Sequence, residues 1–227
     1  MVSRRLLLLP LAGLAATAAI AGFVPSHHLS VMAQAVLGPA SPPRPDMPVF
    51  AQAEGDAERL VTAGLHQIGV TTIYDPAYVT LKYPGGDVAP ERGVCTDVIV
   101  RAYRSTLGLD LQKLVHEDMR GNFAAYPRNW GLKLPDRNID HRRVPNLQTF
   151  FARQGAKLPV TETARDYRPG DVVSQILPGN LAHIALVSQF ASADGKRPLC
   201  IHNIGAGARL EDILFTYKVT GHYRFRL

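Results

Sequence analysis

The order of its periodic segments constrains the fold of this chain more than any other feature of the sequence. Before Pro169 and Gly170, apolar residues recur mainly at helical spacing. After them come short β-branched or aromatic runs separated by Gly, Pro and Asn. Helical segments followed by strand segments indicate an α+β fold. We therefore expect N-terminal helices packed on a small antiparallel β-sheet.

The pattern predicts four helices and five strands. The helices are expected at residues 48–69, 94–106, 110–119 and 145–153, and the strands at 71–74, 171–175, 183–189, 199–203 and 222–227. A basic loop over residues 128–143 separates the last two helices. Cys95 lies at the start of the second helix, and this position is the main reason to expect a catalytic role for it.

The N-terminal residues predict export. Arg4 and Arg5 precede an uncharged run over residues 6–24, and Ala19-Ile20-Ala21 provides a small-x-small cleavage site. We expect residues 1–24 to be a signal peptide or an uncleaved membrane anchor, delivered by the Sec route or, given the paired arginines, the twin-arginine route. The proline-rich residues 25–49 predict an extended linker, and residues 50–227 a single catalytic domain in the periplasm or cell envelope.

Composition limits the class of partner. The chain is 46% hydrophobic and 19% charged, which is enough apolar surface for one well-buried core. The formal charge of +6 falls to +4 once Arg4 and Arg5 are subtracted. This mild excess suits an anionic, carboxylate-rich polymer, but it is too small and too dispersed to predict nucleic-acid binding. Residues 116–118 lack the His-Glu-x-x-His spacing of a zinc helix, and a zinc site built from Cys95, His183, Cys200 and His202 lacks the usual ligand spacing. We expect neither a metal nor a cofactor.

The two cysteines allow opposite interpretations. In an oxidising compartment Cys95 and Cys200 are read first as one disulfide, which would silence a nucleophile. A helix N-terminus, however, stabilises a thiolate through its dipole and its free N–H groups, and the same groups can hold an oxyanion. This favours Cys95 as the nucleophile over a small buried hydrophobe. Cys200 is expected to pack beneath or beside the cleft.

Histidines on later strands provide candidate partners for the thiol. His183 opens a predicted strand and is the candidate general base. On the next strand His202 and Asn203 compete for the orienting position, because adjacent strand residues face opposite ways. Either residue would complete a nucleophile–base–orienter triad.

Five short motifs resemble the NlpC/P60 cysteine peptidases, a papain-like family, in order and spacing. They are Tyr83-Pro84-Gly85-Gly86, Cys95-Thr96, Pro169-Gly170-Asp171-Val172-Val173, His183-Ile184-Ala185-Leu186-Val187 and Ile201-His202. The resemblance implies a papain-like fold, a triad of Cys95, His183 and His202, and Tyr83 as an active-site tyrosine. Longer stretches at residues 74–78, 135–146 and 202–205 closely resemble the uncharacterised DUF1287 family, which brings no known reaction with it.

The residues around the nucleophile depart from the usual NlpC/P60 pattern. Typical members read Asp-Cys-Ser-Gly where this chain reads Val94-Cys95-Thr96-Asp97, and Asn203 replaces a small residue after the second histidine. Asp97 is expected to cap the helix or to face the cleft, where its charge would raise the pKa of the thiol. Trp130 and Arg142 in the basic loop, with Arg137 and Arg143, are candidate contacts for an acidic, amide-rich substrate. The alternative is that these arginines form salt bridges to Asp136 and Asp140 inside the loop.

These residues and the resemblance lead to one functional expectation. The domain is expected to cleave an amide bond in peptidoglycan stem peptides through a thioester on Cys95, with Tyr83, Asp97, Trp130, Arg142 and Asn203 at the substrate. Two alternatives remain open. The same architecture can transfer the acyl group to an amine or alcohol, or the domain can be a catalytically inert cell-wall binding module.

Overall fold

The four helices precede the main sheet along the chain, as the sequence predicts. The computed structural model of the protein describes residues 46–227. Its helices are α1 (Gly55–Leu65), α2 (Cys95–Leu107), α3 (Leu111–Asn122) and α4 (Val144–Arg153). Single 3₁₀ turns lie at Phe123–Ala125, Asp140–Arg142 and Ala164–Asp166. This mixture of helices with an antiparallel sheet confirms the α+β class.

A six-stranded antiparallel sheet forms the second half of the domain. Two short strands, β1 (Ile73–Tyr74) and β2 (Arg92–Gly93), pair in parallel apart from it. The strands of the main sheet are β3 (Lys157–Leu158), β4 (Val172–Leu177), β5 (Leu181–Ala191), β6 (Pro198–Asn203), β7 (Ala208–Glu211) and β8 (Lys218–Tyr223). Their spatial order is β3-β8-β4-β5-β6-β7. Strands β4, β5 and β6 follow one another as hairpins, which brings the predicted histidine strands side by side.

The sheet has a different hydrophobic cluster on each face. On the face toward the helices, Ile184, Leu186 and Ile201 join the side chains of α1, α2 and α4 in the main core. On the opposite face, Ala185 and Val187 belong to a smaller cluster beneath the loops that follow β3 and β7. Because neighbouring strand residues point to opposite faces, the position of each residue along β5 decides which cluster it enters.

The first predicted element is shorter than expected, and the last lies four residues earlier in the chain than expected. The first helix begins at Gly55, because residues 48–51 hydrogen-bond the end of β5 instead, including Phe50 N–H to the Gln189 oxygen at 2.7 Å. The last strand ends at Tyr223, after which Phe225 packs against the aromatic rings of Tyr103 and Phe151. Strands β2, β3 and β7 were not predicted. They are two to four residues long and carry no clear alternation.

The predicted signal peptide or anchor and most of the predicted linker lie outside the described residues. The chain already joins the sheet at Pro48, whose carbonyl accepts from Ala191 N–H at 2.8 Å, slightly before the expected domain start at residue 50. Between residues 46 and 227, no helix is long and apolar enough to cross a membrane.

Candidate functional site around Cys95

Cys95 is the first residue of α2, and local interactions fix that helix start. Val94 has an extended backbone, and its N–H donates to the carboxylate of Asp97 at 2.7 Å, so the acidic side chain caps the first turn. At the other end, Gly108 takes the left-handed conformation (φ 65°) that a side chain would disfavour. The α2 segment thus begins and ends where the sequence pattern predicts.

Asp97 also forms a buried ion pair with Arg142. Nη2 of Arg142 lies 2.9 Å from Oδ2 of Asp97, and Nε lies 3.0 Å from Oδ1. The two side chains are only 1% and 4% exposed. Nη1 and Nη2 of Arg142 also donate to the backbone oxygens of Ala77 and Asp75. All three nitrogens of this arginine are engaged within the protein, so Arg142 holds the site together and is not free to grip a substrate, in contrast to the sequence prediction.

A cavity of about 440 Å³ lies in front of Cys95. Its walls include Tyr74, Trp130, Arg143 and the turn before β5. The Arg143 guanidinium lies 4.1 Å from the Trp130 ring centroid, and Trp130 is 40% exposed. An arginine stacked on an exposed indole is held in place while part of its fork stays available to an anion. Trp130, Arg142 and Arg143, all proposed from the sequence as groove residues, line this cavity, and Arg143 is the arginine that stacks on the exposed indole.

The tyrosine beside Cys95 is Tyr74 and not Tyr83. Burial, followed by the charges of Cys95 and Asp97, raises the pKa of Tyr74 well above its ordinary value. Tyr83 lies elsewhere: its ring meets His116 edge-on at 5.1 Å, and Arg137 lies over it. The Tyr83 loop is drawn toward α3 because Gly86 N–H donates to the Gln112 side chain at 2.9 Å. The tyrosine of the Tyr-Pro-Gly-Gly motif thus lies away from Cys95 in this structure, and Tyr74, paired with Gly93 next to the start of α2, lines the cavity.

The Cys95 sulfur is buried, with backbone N–H groups nearby. Burial, together with the nearby Asp97 carboxylate, raises the pKa of the thiol to about 12. The N–H groups of Ile184, Thr96 and Cys95 itself act in the opposite direction, because they stabilise the thiolate. The arrangement is suited to hold a negative charge once the site opens, while the closed site keeps the thiol protonated.

His183 and His202 form a contacting pair on the sheet. Their rings meet edge-on with centroids 5.2 Å apart, and both residues are buried. Burial and the neighbouring His202 hold the pKa of His183 well below its ordinary value, so its imidazole is neutral near pH 7. His202 Nε2 lies 3.0 Å from a carboxylate oxygen of Glu211, a residue that the sequence analysis did not single out.

The backbone next to His183 lies close to Cys95, but the imidazole ring of His183 does not. The sulfur approaches the N–H of Ile184, which is bonded directly to the carbonyl carbon of His183. Ile184 and Leu186 face the helices, however, and the alternation of β5 turns His183 toward the opposite face with Ala185. Among the described residues, no hydrogen bond joins the His183 imidazole to the thiol. The three predicted triad residues are neighbours that do not form one continuous hydrogen-bonded chain.

Asn203 and Cys200 take the positions that alternation along β6 assigns to them. Asn203 points away from His183: its side-chain N–H donates to the Gly93 oxygen at 3.0 Å and so braces the segment that leads to Cys95. Of the two candidates for the orienting position, His202 is the one that contacts His183. Cys200 packs in the smaller cluster, on the other face from Cys95, and both thiols are free. Within residues 46–227, no group of three or more His, Cys, Asp or Glu side chains is arranged to hold a metal ion.

Comparison with known proteins shows the family of the chain. The family model described as "Domain of unknown function (DUF1287)" matches residues 61–225. The chain belongs to the DUF1287 family. It is also 55% identical over 179 residues to "Uncharacterized protein YijF" of Escherichia coli (strain K12), a match that covers 78% of this chain and 86% of the relative. The DUF1287 match includes Cys95, His183, His202 and Glu211.

Neither the DUF1287 description nor the name of the relative assigns a reaction. The residues of this DUF1287 domain themselves therefore indicate what chemistry it can perform. They provide a thiol at a helix start, a cavity with an aromatic and cationic rim, and a buried pair of histidines on the adjacent strands.

Proposed function

We propose that this DUF1287 domain is an exported cysteine hydrolase that cleaves an amide bond in peptidoglycan stem peptides. The observation that carries the proposal is the position of Cys95, which begins α2 and lines a cavity of about 440 Å³. The backbone N–H groups at the start of a helix suit a thiolate and the oxyanion that would follow it. The substrate class and the NlpC/P60-like fold are taken from the sequence resemblance.

The proposed mechanism has two steps. When substrate entry brings the neutral His183 imidazole to the thiol, it takes the proton of Cys95, and the thiolate attacks the amide carbon to give a thioester. The C–N bond breaks as the imidazolium returns the proton to the leaving amine. Water then attacks the thioester, releases a carboxylic acid and restores the thiol. His202 orients His183, and the cavity beside Tyr74 holds the acyl side of the substrate.

Recognition of the substrate is proposed to rest on Arg143 and Trp130. Stem peptides carry carboxylates, and a planar guanidinium matches a carboxylate in two parallel hydrogen bonds. Arg142 is unsuited to this task because its nitrogens are committed to Asp97 and to backbone oxygens. Arg143 uses Nη1 for the Asp140 carboxylate at 3.1 Å, and the structure records no hydrogen bond from its Nη2 to residues 46–227.

A second candidate function is a cell-wall binding module that does not cleave. One observation favours it: the His183 ring leaves β5 on the face opposite to the Cys95 cluster, and burial raises the pKa of the thiol to about 12. If that arrangement persists with ligand bound, the cavity binds an envelope polymer while the thiol stays inert. Hydrolysis instead requires the imidazole to reach the thiol when substrate enters.

Digestion of peptidoglycan by the purified mature protein separates the two candidates. Under reducing conditions, hydrolysis predicts new muropeptide ends with the wild type, none with Cys95→Ala, and normal products with Cys200→Ala as the matched control. Peptidoglycan that binds equally well to wild type and Cys95→Ala, without any thiol-dependent product, would support the binding module and overturn the hydrolase. A nucleophilic amine added to the reaction would reveal acyl transfer as an amine adduct.

A further inference from the structure

Glu211 ends β7 beside the strand that carries His202. Its carboxylate oxygen lies 3.0 Å from His202 Nε2, and the imidazole is fully buried while the carboxylate is 30% exposed. The hydrogen bond to His202 holds the pKa of Glu211 below its ordinary value, so the carboxylate is ionised near pH 7. Arg209 lies nearby, with Nη1 at 4.0 Å from the other carboxylate oxygen.

An ionised carboxylate fixes the tautomer of a neutral imidazole. It can only accept, so in the neutral form of His202 the hydrogen sits on Nε2, and Nδ1 is left with a lone pair. His202 Nδ1 is buried and has no hydrogen-bond partner among residues 46–227. With its Nε2 hydrogen held by Glu211, His202 presents Nδ1 as a hydrogen-bond acceptor inside the protein.

His183 offers the complementary donor. Its Nε2 is also buried and without a hydrogen-bond partner in the described chain, and its ring lies edge-on to His202 at 5.2 Å. If Nε2 of His183 carries the hydrogen, a small rotation of either ring joins it to His202 Nδ1. The lone pair of His183 then lies on Nδ1, the nitrogen that would act as the base. One hydrogen bond between His183 Nε2 and His202 Nδ1 would give both buried nitrogens a partner.

We propose that Glu211 is a positioning residue that sets the tautomer of His202 and, through it, leaves the lone pair of His183 on Nδ1, the nitrogen that takes the Cys95 proton once substrate entry brings the imidazole to the thiol. The proposal rests on the proposed function for the role of His183. It adds a fourth member to the predicted constellation, in the order Glu211, His202, His183, Cys95. The other unpartnered acceptor near His183 is Oε1 of Gln175, its register partner on β4, whose Nε2 already donates to the Ile213 and Leu214 oxygens.

Nitrogen NMR of the full mature protein with ¹⁵N-labelled histidine tests the proposal without any substrate. We expect wild-type His202 to appear at pH 7.5 as the Nε2–H tautomer. Glu211→Gln should give a mixture of tautomers, since an amide can either accept from or donate to the ring, and the His183 signals should shift with it. Asp212→Asn is the matched control, because it removes the same charge one residue away, where Asp212 pairs with Arg197. Its histidine spectrum should match the wild type.

Unchanged His202 and His183 signals in Glu211→Gln would overturn the proposal, and so would a change in His202 that leaves His183 unaffected. The latter would place the donor hydrogen of His183 on Gln175 instead. Because signals of both rings are read from folded protein, loss of fold cannot imitate either result.

The rate of Cys95 alkylation by iodoacetamide, measured against pH in a Cys200→Ala background, separates this proposal from the function on which it rests. With both correct, Glu211→Gln slows alkylation at pH 7.5 about tenfold, part of the 10²–10⁴ that a positioned base contributes, and Asp212→Asn leaves it unchanged. If His183→Ala slows alkylation but Glu211→Gln changes neither the tautomers nor the rate, the hydrolase stands and the Glu211 role fails. If the tautomers change and no variant affects alkylation, Glu211 positions His202 and the thiol mechanism fails.

Discussion

At the scale of single residues, the Asp97–Arg142 pair is the most demanding feature of the site. Arg142→Met would leave the Asp97 carboxylate buried without its partner, and we expect a loss of about 3–5 kcal/mol in the free energy of unfolding. Urea denaturation measures this loss. The double variant Asp97→Asn with Arg142→Met should recover part of it. The exposed pair of Arg92 with Asp75, at 2.7 Å, provides the control, because Arg92→Met should cost less than about 1 kcal/mol. Equal losses in the two arginine variants would contradict the structural role of Arg142.

Arg143 carries a second prediction at this scale. Arg143→Lys keeps the charge but loses the planar fork and much of the contact with Trp130. We expect KM for the peptidoglycan substrate to rise about tenfold while kcat stays the same, the pattern for a contact made equally in the ground and transition states. Arg137→Lys is the matched control, since that arginine lies over Tyr83 outside the cavity. A fall in kcat without a change in KM would show that Arg143 acts on the reaction and not on binding.

At the scale of elements, two glycines at the penultimate positions of helices α1 and α3 predict opposite effects. A Cβ on Gly64 would lie 2.9 Å from a methyl group of Leu186 and 3.0 Å from one of Ile201, because α1 packs closely on the sheet. A Cβ on Gly121 meets nothing within 4 Å. Gly121→Ala should therefore stabilise the protein by about 0.5–1 kcal/mol through helix propensity. In Gly64→Ala, overpacking should exceed that gain and give a net loss of about 1 kcal/mol. Thermal unfolding of the two variants checks the sign, and stabilisation in both would mean that α1 can move away from the sheet.

Long periodic elements were predictable from the sequence, and contacts between distant segments were not. The α2 and α4 segments and the three central strands follow from apolar spacing and from Pro and Gly punctuation, so Cys95 is correctly placed at a helix start. Tyr74 was missed because the predicted strand at residues 71–74 does not show that it pairs with the short strand leading to Cys95. The role of Arg142 was misread because a basic loop does not show which of its arginines is buried. Glu211 was missed because β7 is only four residues long.

At the scale of the whole molecule, buried neutral histidines make the fold sensitive to acid. Burial lowers the pKa of His141 to about 3, and that of His183 lies well below 6.5. As the pH falls below about 6.5, the unfolded chain binds protons at both positions and the folded chain does not. Each histidine therefore removes about 1.4 kcal/mol of stability per pH unit until its folded pKa is reached. Asp140 acts in the opposite direction, because burial raises its pKa to about 6 and the folded state binds that proton first.

We therefore expect the free energy of unfolding in urea to fall between pH 6.5 and pH 5 by about 1.4 kcal/mol per unit, since Asp140 offsets roughly one of the two histidines. His141→Gln should remove most of this net slope, because the remaining His183 and Asp140 contributions then nearly cancel. Asp140→Asn should steepen the slope, since the opposing proton uptake is lost. The exposed His66, replaced by Gln, is the matched control and should leave the slope unchanged. A slope that survives in His141→Gln would mean that His141 takes up its proton within the folded state, which requires the loop at residues 140–142 to open and the buried Arg142 beside Cys95 to move with it.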